Sequence, residues 1–186
     1  MVRRIKSRGF TVIEVLIAIS VAAAGFAAIF SLQIGSMQAN MTARDLTGAI
    51  GLAERYVEVL RRDSYLWDGT QRPGPRLNQS FGDWHVITPF PVDQNGRASV
   101  ENDANFGSEF LSRQRYCVHY WMNGFANLYA GLLSIRVRVV WPRSALNTSG
   151  LDQMCTLDGA RAFDQTNLSS WFSLTLPALV RSTDPS

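Results

Sequence analysis

Gly9-Phe10-Thr11-Val12-Ile13-Glu14 is the stretch on which the fold of this chain turns. It follows a leader bearing Arg3, Arg4, Lys6 and Arg8, and it opens an apolar run of 23 residues from Phe10 to Leu32, interrupted by Thr11, Glu14, Ser20 and Ser31. A helix of roughly 20 apolar residues spans a bilayer core, so this run is long enough. No charged residue occurs between Val15 and Ala43. Glu14 is therefore a lone ionisable group at the start of a segment suited to hydrocarbon, where an unpaired carboxylate is costly. It can snorkel toward the headgroups, being the fifth residue from Phe10. A cut between Gly9 and Phe10 would add a second option, because the new α-amino cation would lie one helical turn from Glu14, in the same chain or in a neighbour. In a low-dielectric bundle such a pair would set axial register, since an unpaired buried charge costs several kcal/mol.

The chain has 186 residues, 46% hydrophobic and 18% charged, an ordinary globular balance with room for one domain and an appendage. Its pI near 9.2 is a property of the leader. Without the first nine residues, 14 basic residues face 15 acidic ones, which argues against a nucleic-acid partner. Cations before the apolar run predict a cytoplasmic leader and an exported remainder. A cleavable secretory signal is the competing reading, with Ala22-Ala23-Ala24-Gly25 as its small-residue site, but the apolar run exceeds the usual length for one.

Proline is absent before Pro73, so the first third of the chain is free to form one long helix, on the order of 80 Å from Phe10 to Arg62 at ~1.5 Å per residue. Its second part, residues 43–62, is amphipathic: Leu46, Ile50, Ala53, Val57 and Leu60 recur every three or four positions among charged neighbours. Glu58 and Arg62 are spaced for an ion pair, and Gly25, Gly35, Gly48 and Gly51 mark soft points. Asp68-Gly69 and Arg72-Pro73-Gly74-Pro75 end the helix. Strands are predicted at 133–141, 114–122 and 171–176, with a shorter one at 84–87, and polar loops at 92–105 and 147–165. The expected fold is α+β, with the amphipathic half of the helix packed on an antiparallel sheet.

Cys117 and Cys155 are the two cysteines, and an exported chain with an even count favours one disulfide. A Cys117 nucleophile with His119 on the same strand face is the alternative. His85 and His119 are the only histidines and have no ligand cluster beside them, so no metal is expected. No phosphate loop or carboxylate pair appears, so neither cofactor nor enzymatic activity is expected. The triplets at Asn78, Asn147 and Asn167 read as ordinary loop polarity, and the five tryptophans as core or interface.

Arg8-Gly9-Phe10-Thr11-Val12-Ile13-Glu14-Val15-Leu16-Ile17-Ala18 closely resembles the class III signal of type IV prepilins and pseudopilins. The resemblance implies removal of residues 1–9 by a prepilin peptidase cutting between Gly9 and Phe10, N-methylation of Phe10, and an assembly salt bridge from Glu14 to a neighbour's amino terminus. It further implies a pilin-like fold: a helix over 10–62, with 10–32 transmembrane before assembly, and a periplasmic β-rich head over 63–186. Segments between Gly25 and Arg61 and the strand Val137-Arg138-Val139-Val140-Trp141-Pro142 are similar to minor pilins of the PilV type, with the I-type minor pseudopilin of type II secretion as close relative. A helix-anchored periplasmic enzyme or receptor is the remaining alternative. Implied partners are other minor pilins and the major pilin, the peptidase, the inner-membrane assembly platform and a tip adhesin. The implied location is the inner membrane before assembly and a pilus or pseudopilus afterwards.

Overall fold

The computed structural model describes residues 11–65, 74–88, 90–97, 114–124, 132–143, 150–165 and 168–181. Helix α1 spans Val12–Tyr65. The chain divides into two compact units, Met1–Arg44 and Asp45–Ser186, with the boundary inside α1.

In the second unit, α1 buries Ala49, Leu52, Ala53, Tyr56, Val57 and Leu60, the stripe set by the 3.6-residue period. Leu46 and Ile50, which share that spacing, stay partly exposed. Helix α2 (Gly74–Leu77) follows, and then four antiparallel strands in sheet order β1-β2-β3-β4: β1 (Trp84–Val86), β2 (Cys117–Gly124), β3 (Leu132–Pro142) and β4 (Trp171–Arg181). The α+β arrangement is the expected one, a long helix and an antiparallel sheet. Register aligns Val118, Val139 and Leu174, then Tyr120, Val137 and Leu176, then Met122, Ile135 and Ala178. These rows form one core with the α1 stripe.

Several boundaries differ from the sequence expectation. β2 begins at Cys117, preceded among the described residues by a single bridge from Tyr116 to Val92. β4 continues through Pro177 to Arg181, because an edge strand tolerates a residue without an N–H. Glu58 pairs with Arg61 at 3.8 Å and not with Arg62, both side chains being exposed. Gly48 is no soft point: a Cβ there would lie 2.8 Å from the Tyr116 hydroxyl, which donates to the Asp45 carbonyl at 3.2 Å.

The larger correction concerns 147–165. Within it, α3 (Leu151–Met154), α4 (Leu157–Ala162) and a 3-10 turn at Phe163–Gln165 cover the sheet face opposite α1. Leu151, Cys155, Phe163 and Trp171 pack there on Cys117 and Val140. Thr156 caps α4, its hydroxyl accepting from the Gly159 N–H at 3.1 Å. Gly159 lies so close to the Gln153 carbonyl that no Cβ fits. Each helix buries a single residue, too little periodicity for a sequence signal.

Candidate assembly segment

Every residue from Thr11 to Arg44 is exposed, although the stretch is strongly apolar. Its best 18-residue window has a mean hydropathy of 2.4, so α1 is long and apolar enough to cross a membrane. Exposed apolar surface on this scale marks a membrane or protein contact. Ser20 turns its hydroxyl onto the Leu16 carbonyl at 2.9 Å, and Thr42 does the same to Gln38 at 3.1 Å. These internal bonds satisfy the donors without water.

Helix α1 starts at Val12, which makes Thr11 its N-cap and Glu14 its N3 residue. The Glu14 N–H donates to the Thr11 carbonyl at 3.1 Å and lies 3.4 Å from its hydroxyl oxygen, while the Val15 N–H reaches the same carbonyl at 3.3 Å. Thr-x-x-Glu is the capping-box pattern, and an acid in the first turn also meets the positive end of the helix dipole. The acid at this position is thus placed to stabilise its own helix start. Thr11 standing three residues before Glu14 is the signal that sequence reasoning overlooked. Gly9 and Phe10, the expected cleavage pair, lie outside the described residues.

Cys117 and Cys155 are joined in a disulfide, with their Cα atoms 5.0 Å apart. His119 is buried beside them and engaged at both nitrogens: Nε2 lies 2.7 Å from the Met154 carbonyl, and Nδ1 lies 3.5 Å from Nη2 of Arg138. Burial first, then the charge of Arg138, lowers its pKa from 6.5 to about 4, so the imidazole is neutral at pH 7. With Cys117 bonded and His119 occupied, the pair offers no thiolate and no free base. His85 sits apart, its Nε2 2.8 Å from the Ser80 carbonyl. Among the described residues no three His, Cys, Asp or Glu side chains gather as metal ligands.

Arg138 organises this face. Its guanidinium lies 3.8 Å from the Trp84 ring centroid and 4.5 Å from that of Phe163, bonds Asp164 at 2.8 Å and donates to the Ala160 carbonyl. Burial lowers its pKa to about 10, with Asp164 opposing the shift, and it remains a cation at pH 7. Arg161 also ties α4 to the sheet through a two-oxygen contact with Asp83, whose carboxyl that bond holds below the usual range.

The family model described as the prokaryotic N-terminal methylation motif matches residues 4–30. No curated protein and no solved structure matched the chain. The motif, the exposed apolar helix and the α+β head support a type IV prepilin-like protein, a subunit of pilin or pseudopilin type, anchored in the membrane before assembly. Proteins carrying this motif are structural rather than catalytic.

Proposed function

We propose that this chain is a type IV minor pilin, a structural subunit that joins other minor pilins to prime assembly and takes a place at or near the pilus tip. The observation that carries the reading is the exposed apolar half of α1, headed by a single carboxylate and preceded by a basic leader within the methylation motif. In this reading the peptidase removes residues 1–9, Phe10 becomes the methylated amino terminus, and the membrane-spanning segment over 10–32 is later extracted into the fibre. Glu14 then pairs with the amino terminus of a neighbour. Glu14 stands in the first turn of α1, so the positive end of the helix dipole and an incoming amino-terminal cation would act on the same carboxylate.

The direct test is mass spectrometry of the protein from cells with an active prepilin peptidase. The expected species begins at methylated Phe10; an intact leader would overturn the reading. Glu14→Ala should leave membrane insertion unchanged and reduce incorporation into pili. Normal piliation in that variant would remove the pairing role.

A further inference from the structure

We propose that the free edge of β1 is a docking site for an extended segment of a neighbouring subunit, one that carries an acidic side chain toward Arg76. The backbone pattern locates it. Ile87 donates its N–H to the Val118 carbonyl at 3.1 Å, and the register pairs His85 with Tyr120 and Val86 with His119. Bonded pairs alternate in an antiparallel ladder, so Val86 turns both its N–H and its carbonyl away from β2. Neither group bonds another described residue. The next outward donor, the Trp84 N–H, is already taken by Asp83 Oδ1 at 2.8 Å.

A cleft of about 540 Å³ surrounds this edge. Successive strand residues point to opposite faces, yet both His85 and Ile87 from one face and Val86 from the other line the cleft. The strand edge therefore runs through it, as strand addition requires. Val86, Ile87 and the exposed Leu157 give it an apolar wall. Arg76 is its charged residue, with no acid among the described lining residues. Arg76 gives Nη1 to Asp63 at 3.1 Å, and its side chain remains 38% exposed, which leaves guanidinium donors for an incoming carboxylate. The opposite sheet edge, β4, carries Pro177 and lacks that donor.

Three strand residues make a short footprint, so the contact is weak on its own. The proposal rests on the fibre reading, in which neighbours are held at high effective concentration.

The test uses the full-length protein in detergent micelles and two blocked pentapeptides of alternating Val and Thr, one ending in Glu and one in Lys. The Glu peptide should slow amide exchange at Val86 by about tenfold or more and leave Ile87 unchanged, since its N–H is already bonded. The Lys peptide should bind up to about fivefold more weakly, and Arg76→Glu should reverse that order. Absence of slowing with both peptides would overturn the proposal. So would equal binding by a backbone N-methylated Glu peptide, a control that does not depend on any variant folding. Failure here leaves the fibre reading standing, whereas an intact leader would sink the fibre reading with peptide binding still measurable.

Discussion

Arg138 is where a single side chain decides most about the head. Its flat guanidinium fills the slot between Trp84 and Phe163 and reaches Asp164 and Ala160 together. Lysine carries the charge but neither the plane nor the fork. Arg138→Lys should therefore destabilise the protein by about 2 kcal/mol in urea unfolding, and an unchanged midpoint would speak against the sandwich. The neighbouring His119 makes stability depend on pH. The unfolded chain takes up its proton near 6.5 and the folded one only near 4, so stability is level above 6.5 and falls as pH drops toward 4. The full loss is on the order of 3 kcal/mol. His119→Gln should flatten the decline between pH 7 and 4.5, while the loss from protonating Asp83, whose folded pKa is depressed, would set in at lower pH. In the sequence Arg138 shares the polar face of its strand with Ser134 and Arg136. Its burial comes from a cover about 20 residues downstream that has no pattern of its own.

At the scale of elements, α1 carries two signals with different partners. From Asp45 onward its apolar residues keep helical spacing and meet the sheet; from Thr11 to Arg44 they surround the helix on all sides and are exposed. That contrast was legible, because periodicity reports one-sided burial and its absence reports an apolar surrounding. β3 was equally legible, since its residues alternate between the two faces. The helix start was legible in kind but missed in detail, as attention to the charge of Glu14 hid its place in a cap. Thr11→Val should weaken that cap by about 1 kcal/mol. Faster amide exchange at Glu14 and Val15 in micelles, with the head unaffected, is the expected result.

For the whole molecule, the relevant boundary is Arg44/Asp45 and not the chemical end of the helix. A fragment beginning at Asp45 keeps Ala49, Leu52, Ala53, Tyr56, Val57 and Leu60, and should unfold cooperatively on heating. One beginning at Asp63 loses all six and should show no cooperative transition, since one such large-to-small core loss alone costs about 2 to 5 kcal/mol. The Cys117–Cys155 bond adds a condition of place. It closes a loop over a separation of 38 residues, a constraint worth about 3 to 4 kcal/mol in the chain-entropy treatment, and fastens the β2 strand to the junction of α3 and α4. Thiols stay reduced in the cytoplasm and pair beyond it. In the fibre reading proposed above, the outer layer of the head is a record of passage: a subunit still on the wrong side of the membrane lacks its clasp, and only a translocated one is finished.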